Sequence, residues 1–312
     1  MYTHCFTPPH RMPLLDHYSF GIALVNKGMG FVSRQQTNRI AMALISVVAF
    51  VVILPIVLVI GFVIYNGAGT FSWEFLTAAP RNGMREGGIM PALLGTVFLT
   101  FGTAIVAFPL AIAAAIYLAE YAAENRLTRW VRLAIVNLAG IPSIVYGLFG
   151  LGAFVLFMDF GTSILAGSLT LGILTLPVVI STAEEAINSV PQQFRTVSLS
   201  LGATRWQTIR YQVLPHAMPG IITGVILGLG RAAGETAPIL FTVAAFYLPE
   251  LPKSIFDQSM ALPYHLYVIA TQVPGMPLSI QYGTALVLLL IVLALTLVAT
   301  LVRTNMRRNR EW

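Results

Sequence analysis

The chain has 312 residues, of which 57% are hydrophobic and only 10% are charged, and its mean hydropathy is +0.80. Soluble globular domains carry about a quarter charged residues, so this composition excludes an ordinary soluble enzyme or binding domain. Several apolar runs are long enough to cross a hydrocarbon core of roughly 30 Å as helices. The sequence therefore predicts an all-α integral membrane protein.

Six membrane spans follow from the uncharged runs and from the prolines that interrupt them. Pro215 and Pro219 mark the start of the fifth span, which we expect to continue through Arg231 and Glu235. Three further prolines break the last apolar run and delay the start of the sixth span. The predicted spans cover about residues 40–65, 90–119, 133–158, 162–183, 218–246 and 282–302.

The loops and the chain ends indicate an orientation. Residues 1–38 lack a compact apolar region and are predicted to be a poorly ordered extension, and residues 304–312 form a basic tail. Most Lys and Arg fall on the side that holds both termini, whereas the other side holds Arg81, Arg85 and Lys253. The positive-inside rule therefore predicts cytoplasmic termini. The net charge of +6 follows from this topology and does not indicate a nucleic-acid partner, because no basic stripe is interleaved with aromatic residues.

Motifs for nucleotide binding, metal ligation and covalent catalysis are absent from the sequence. No G-x-x-x-x-G-K-[ST] loop occurs, so the chain itself is not expected to bind ATP. H-E-x-x-H, paired C-x-x-C and G-x-S-x-G are missing as well, and Cys5 is the only cysteine. We therefore expect no bound cofactor or metal, and an intramembrane enzyme ranks last among the function classes.

The longest internal loop predicted on the cytoplasmic side covers residues 190–215, hereafter the 190–215 loop. It carries two apolar stripes, each spaced three then four along the chain and each on one helical face. The stripes consist of Phe194, Val197 and Leu201 and of Trp206, Ile209 and Val213. Gly202 between them permits a turn with positive φ, so two short amphipathic helices are predicted to meet there. The pattern fits helices on lipid headgroups and equally fits helices inserted into a groove of a partner protein.

The stretch "GLGRAAGETAPIL" places Arg231 and Glu235 inside an otherwise apolar span. In a helix, both charges fall within about 80° of arc of three glycines, Gly220, Gly224 and Gly228, so all five share one face. Facing lipid would cost each charge roughly 2.5–3.5 kcal/mol. The glycine-lined strip is therefore expected to be a tight helix contact or a space for a substrate.

A proline stands close to these charges. Pro238 cannot donate to the carbonyl of Gly234, and we expect a bend beside Glu235. Two hypotheses remain open for the charges: Arg231 and Glu235 only lock the helix by pairing, or they take part in an anion pathway. A guanidinium suits an oxyanion, and a neighbouring carboxylate would keep binding weak enough for release.

The 190–215 loop resembles the coupling loop of ATP-binding-cassette importer permeases, whose pattern combines E-A-A, Gly and I-x-L-P. In "LGATRWQTIRYQVLP", Gly202, Leu214 and Pro215 match at the family spacing, whereas residues 196–198 stand in place of E-A-A and Gln212 replaces the Ile. The resemblance implies contact with a cytoplasmic ATPase, which would use the ATP. The residues implied in this contact are Leu201, Gly202, Ala203, Thr204, Arg205, Trp206, Leu214 and Pro215.

"GRAAGETAPILFT", with "TLPVVISTAEEAINSVP" upstream, is similar to phosphate-specific permeases, and more to PstA subunits than to PstC subunits. The resemblance covers roughly residues 95–302. It implies a type I, MetI-like permease of six transmembrane helices in a bacterial cytoplasmic (inner) membrane. It further implies a PstC-like second permease, a PstB-like ATPase dimer and a PstS-like phosphate-binding protein as partners. Arg231, Glu235 and Thr236 become candidates for the substrate pathway.

Other functions stay open at this point. Importers of sulfate, molybdate and phosphonate share the loop pattern, so these oxyanions are alternative substrates. A passive anion channel would need neither the ATPase nor the loop. In a membrane-embedded sensor or scaffold, Arg231 and Glu235 would only hold helices together.

Overall fold

A computed structural model describes residues 34–308 of the chain, and these residues are helical apart from short connections and one small hairpin. The first helix of the described residues covers Arg34–Gly67 and so includes the last part of the extension predicted for residues 1–38. The remainder of that prediction lies outside the described residues. The last helix runs through the predicted tail as far as Arg308, and residues 309–312 also lie outside.

The described residues form twelve α-helices, one 3₁₀ turn (Ala68–Thr70), three π-helical turns and one hairpin. The helices are α1 (Arg34–Gly67), α2 (Trp73–Thr77), α3 (Met90–Ile116), α4 (Arg126–Ala139), α5 (Ser143–Gly150), α6 (Ile164–Asn188), α7 (Gln192–Ser200), α8 (Arg205–Thr208), α9 (Leu214–Gly234), α10 (Ala237–Thr242), α11 (Leu262–Thr271) and α12 (Leu278–Arg308). Three π-helical turns extend α3 (Tyr117–Tyr121), extend α5 (Leu151–Phe157) and join α8 to α9 (Ile209–Val213). The antiparallel strands are β1 (Pro80–Arg81) and β2 (Glu86–Gly87).

Five helices of the described chain are long and apolar enough to cross a membrane, and a bent pair makes six if it counts as one span. The bent pair consists of α4 and of α5 with its π turn, which meet at 102°. The span expected over residues 133–158 is therefore corrected to two helices. Pro142 lies at the bend, where it lacks an N–H and restricts the residue before it.

Helix α1 is a single apolar segment of 34 residues, with Pro55 inside it. This length exceeds the roughly 20 residues that a helix needs to cross the hydrocarbon core. Its part up to Gly61 forms a compact unit of its own, and the remaining chain from Phe62 forms a second unit.

Helix α6 is the most buried candidate span of the second unit, and α3 and α9 pack along it. Their common core consists largely of small and branched residues, among them Ala111, Ala115, Val179, Ala183 and Ile221. A second apolar cluster lies near the hairpin and joins the start of α3 to α10, α11 and α12. Small side chains allow the three helices to approach closely. The 190–215 loop leads into one end of α9 and the Arg231–Glu235 pair lies at its other end, so both regions belong to this three-helix core.

Candidate functional site

The helix that carries the intramembrane charges ends sooner than the sequence predicts. Arg205–Gly234 forms one helical run, and the chain becomes extended at Glu235, with φ −73° and ψ 137°. Helix α10 begins at Ala237 with Pro238 in its first turn. The single span expected over residues 218–246 is thus corrected. A proline lacks the N–H that a continuing helix needs but fits the first turn of a new one.

Pro215 also differs from its expected role as a start signal. The helical run begins ten residues earlier by number, at Arg205, and the π turn Ile209–Val213 precedes Pro215 directly. A π turn shifts the backbone bonding by one residue, so the run continues past a residue that has no N–H. Leu214 and Pro215 are half-buried at the start of α9.

Arg231 and Glu235 form an ion pair across the end of α9. Nε of Arg231 donates to Oε1 of Glu235 over 3.2 Å, with 37% of the arginine side chain and 15% of the glutamate side chain exposed. Within residues 34–308, neither terminal guanidinium nitrogen donates to another group. Glu235 partly neutralises the charge of Arg231, and the two terminal nitrogens of Arg231 stay open to a ligand.

Arg231 lies within the membrane-spanning part of the bundle. One turn earlier on α9, Gly228 packs against Val179 and Thr175, which stand near the middle of α6. Arg231 is also within electrostatic range of Tyr146, a buried residue of α5. A permanently charged group at this depth needs a counter-charge or water, and Glu235 supplies the counter-charge.

The glycine strip of α9 is a helix contact. A Cβ at Gly224 would overlap the Thr182 hydroxyl, and one at Gly228 would lie 2.9 Å from a Val179 methyl carbon, both on α6. Gly220 faces Ala186 of the same helix. Of the two expectations for this strip, close packing is therefore the one observed. The helical angle assigned to Glu235 does not apply, because that residue lies beyond the helix end.

The break between α9 and α10 is held by packing on α5. A Cβ at Gly147 of α5 would lie 3.0 Å from both the Ala237 carbonyl oxygen and the Pro238 Cα, so only glycine fits this approach. Pro238 is buried, and Thr236 stands half-exposed in the break without a side-chain cap bond. The break thus presents a fixed arginine, carboxylate and hydroxyl, a set that suits weak binding of a small anion.

The 190–215 loop has the predicted form of two short helices that meet at Gly202. Its φ of +84° is a conformation that favours glycine, and α7 ends just before it. Thr204 begins α8 with a capping box, in which its hydroxyl accepts from the Gln207 amide and the Gln207 side chain accepts from the Thr204 amide. The Ser198 and Thr208 hydroxyls, 2.9 Å apart, tie α7 to α8.

The two apolar stripes of the loop have different surroundings. Val197, Leu201 and Trp206 are 60%, 84% and 50% exposed, so they present apolar surface as predicted. Phe194 of the first stripe is instead half-buried against the core of the bundle. Ile209 and Val213 are 1% and 0% exposed and belong to the core. The second stripe is therefore corrected: only its first residue is presented, because the π turn that follows α8 directs the others into the bundle.

Sequence reasoning missed the attachment of this loop to the end of α3, which we call the loop anchor (Glu120, Arg195 and Arg205). Arg195 donates through Nε and a terminal nitrogen to Glu120 Oε1 over 2.9 and 2.6 Å. Arg205, expected at the ATPase contact, donates to the Glu120 backbone carbonyl and lies 5.0 Å from the ring centre of Tyr121. An acidic residue directly after a long apolar run, beside basic loops, was the available signal.

A second ion pair lies at the same end of α3. Arg132 of α4 donates to Glu184 of α6 over 2.9 Å and to the Leu118 carbonyl over 3.0 Å. Among the described residues, no group of three or more His, Cys, Asp or Glu side chains could hold a metal ion. The charged side chains at this end therefore pair with one another and with backbone carbonyls.

Comparison with known proteins places this arrangement in a family. Residues 107–311 match the family described as "Binding-protein-dependent transport system inner membrane component". The matched region contains the whole 190–215 loop, the Arg231–Glu235 pair and the helix break.

Several curated proteins are similar over most of their length. "Probable ABC transporter permease protein YqgI" of Bacillus subtilis is 34% identical over 252 residues, or 77% of this chain and 85% of the relative. "Phosphate transport system permease protein PstA" of Mycobacterium leprae is 34% identical over 265 residues, or 83% and 86%. "Probable phosphate transport system permease protein PstA" of Methanocaldococcus jannaschii is 32% identical over 259 residues, or 83% and 90%.

Solved structures share the fold at low sequence identity. The inward-facing MetNI methionine ABC transporter matches with a TM-score of 0.56 and 15% identity, over 69% of this chain and 94% of the other. A bacterial ABC transporter involved in the import of alginate matches with a TM-score of 0.60 and 14% identity, over 89% and 98%. The chain therefore belongs to the binding-protein-dependent transport system inner membrane component family and is a multi-pass permease subunit with the MetI-like fold.

Proposed function

We propose that the chain is a transmembrane permease subunit of an ATP-driven importer of inorganic phosphate and forms half of the translocation pathway. The observation that carries this proposal is the half-exposed Arg231 inside the bundle, whose two terminal nitrogens are open. A planar guanidinium with two parallel N–H donors matches two oxygens of a phosphate. The relatives named as phosphate transport permeases support phosphate as the anion.

Glu235 sets the strength of this site. It already engages Nε of Arg231, so an arriving anion meets a partly neutralised guanidinium. A translocation site must bind its ion and also release it, and a nearby carboxylate disfavours retention of a second negative charge. Thr236 offers a hydroxyl in the same break. Movement of α9 against α10 would change the access to this group of side chains.

The partners follow from the type of system. An importer of this kind would combine the chain with a PstC-like permease, a PstB-like ATPase dimer and a PstS-like phosphate-binding protein. The exposed Val197, Leu201 and Trp206 of the 190–215 loop form the surface that would contact the ATPase. That contact requires the loop and both termini on the cytoplasmic side of the bacterial inner membrane. ATP would be bound by the partner ATPase, and this chain would carry no cofactor.

The test is phosphate uptake by the co-purified complex in lipid vesicles. We expect uptake of radiolabelled phosphate that requires ATP, is competed by arsenate and is not competed by sulfate. Arg231→Gln should assemble at the normal level and lose uptake. Arg129→Gln, which removes an exposed arginine on α4, is the matched control and should import normally.

Three results would contradict parts of the proposal. Uptake that sulfate competes equally well would indicate a general oxyanion permease. Phosphate flux without ATP would indicate a passive channel. A wild-type rate in the assembled Arg231→Gln complex would remove Arg231 from the pathway.

A further inference from the structure

The end of α3 is surrounded by arginines from three other elements. Arg132 of α4 binds the Leu118 carbonyl, Arg195 of α7 binds the Glu120 carboxylate, and Arg205 of α8 binds the Glu120 carbonyl. The π turn Tyr117–Tyr121 ends α3 here, and the carboxyl end of a helix carries partial negative charge. Cations at this position are therefore stabilising, and two of the three come from the 190–215 loop.

Arg195 is the best-satisfied of these groups. Besides Glu120, it donates to the carbonyls of Val190 over 2.7 Å and of Ile187 over 3.0 Å. The Arg195 and Glu120 side chains are 12% and 8% exposed. A buried ion pair with this many bonds is costly to break, because separation would leave a charge without a partner in a poorly solvated place.

The loop itself is built as one rigid piece. The Ser198–Thr208 bond ties α7 to α8, the Thr204 capping box fixes the start of α8, and Gly202 sets the turn between them. A push on Leu201 or Trp206 is thus expected to displace the whole piece. Such a piece moves whatever it is bonded to.

We propose that Glu120 is a positioning residue through which the 190–215 loop moves α3 together with α9. This inference rests on the proposed function, because it needs an ATPase that displaces the loop. Covalent continuity links the loop to α9 at Leu214, and the loop anchor adds a second, noncovalent link to α3. Helices α3 and α9 contact each other and both pack on α6, to which the loop is joined directly after Asn188, so the two links make the ends of these helices follow the loop together.

The first test separates transport from ATP hydrolysis. In the reconstituted complex, Glu120→Gln keeps an acceptor for Arg195 but removes the charge that holds it. We expect this variant to assemble and hydrolyse ATP, while phosphate imported per ATP falls about fivefold or more. Arg132→Gln is the matched control, since it breaks the neighbouring ion pair at the same end of α3 without touching the loop. The amount of phosphate that Arg132→Gln imports per ATP hydrolysed should stay near the wild-type value.

The second test does not depend on the transported substrate. In a Cys5→Ser background, spin labels at Ala123 and Ser200, both exposed, report the distance between the end of α3 and the loop. We expect one narrow distance in the nucleotide-free and ATP-trapped states of the wild type, and a broad distribution in Glu120→Gln. Arg132→Gln should keep the narrow distribution.

The outcomes separate this inference from the proposed function. A wild-type complex that hydrolyses ATP without importing phosphate contradicts the proposed function, while the label distance still decides the role of Glu120. An unchanged import ratio in Glu120→Gln, an equal fall in Arg132→Gln, or a wild-type distance that changes on ATP binding would each overturn the inference. If Glu120→Gln fails to assemble, the double variant Glu120→Gln with Arg195→Gln replaces it, because it removes both charges and leaves no buried charge unpaired. A wild-type import ratio or a narrow distance in the double variant also overturns the inference.

Discussion

Two arginine–glutamate ion pairs in this protein have the same chemistry but differ in burial and in the number of hydrogen bonds that they form. Arg231 and Glu235 are four residues apart, share one bond of 3.2 Å and leave 37% of the arginine side chain exposed. Arg195 and Glu120 are 75 residues apart, share two bonds of 2.6 and 2.9 Å and are nearly buried. In the first pair both terminal nitrogens of the arginine are left unused by the described residues, whereas in the second every guanidinium nitrogen donates at least one hydrogen bond.

The difference shows how context divides the roles of one side-chain pair. A buried pair whose guanidinium nitrogens all donate to protein groups can hold two elements together but is not accessible to a ligand. A pair with one bond and a half-exposed arginine holds its surroundings less firmly, and its open nitrogens can bind an anion. We therefore expect substitutions at the loop anchor to act on stability and coupling, and substitutions at Arg231 to act on transport.

The largest effect is expected at Arg195. Arg195→Ala leaves the Glu120 carboxylate buried without its partner, which should lower the free energy of unfolding by about 3–5 kcal/mol. The measurement is denaturant unfolding of the purified subunit in detergent. Arg231→Ala is the comparison variant and should lower the same free energy by less, because Arg231 shares a single bond with Glu235 and 37% of its side chain is exposed. Equal losses in the two variants would contradict the division of roles.

For transport, a substitution at Arg231 should have a large effect even when it keeps the charge. Arg231→Lys keeps the charge but loses the planar pair of donors, and one charge-assisted hydrogen bond contributes about 1.5–3 kcal/mol. We therefore expect phosphate uptake to fall at least about tenfold in the assembled complex. Arg129→Lys, on the exposed face of α4, should leave the uptake rate unchanged. Normal uptake by Arg231→Lys would show that charge alone suffices.

The glycine strip beside Arg231 gives a smaller effect on stability. Gly224→Ala places a methyl group against the Thr182 hydroxyl of α6, and overpacking of this kind costs about 1–3 kcal/mol. Gly230→Ala on the same helix is the control, because no atom lies within 4 Å of its added Cβ. Thermal unfolding in detergent compares the two. If both substitutions behave alike, the strip is not a close helix contact.

The smallest effect is expected at the turn of the 190–215 loop. Gly202→Ala meets no atom within 4 Å, so only its φ of +84° opposes a side chain, at about 1 kcal/mol. Gly230→Ala again serves as control, with helical φ and an expected small gain. Urea midpoints of the purified subunit report the difference. A neutral Gly202→Ala would mean that the loop relaxes its turn without loss.

Much of the architecture can be predicted from the amino-acid sequence. Apolar runs of membrane length, prolines between them and the stripe spacing around Gly202 are local patterns, so five candidate spans and the two short helices that meet at Gly202 follow from them. The pairing of Arg231 with Glu235 is also local, since four residues separate the two. The path of the chain after Gly234 was harder, because Pro238 is compatible both with a bend and with a new helix.

Other features depend on contacts between distant segments, and only the tertiary structure decided them. The glycine strip of α9 could equally have lined a cavity until α6 was seen to cover it. Glu120 lies 75 residues from Arg195, and its meeting with that residue required the fold. By itself, the sequence determined a membrane protein with two charges in an apolar segment and a turn at Gly202, because periodicity and composition act over a few residues. Packing decided which charged side chains stay open to a ligand and which hold the bundle together, because burial depends on residues far away in the chain.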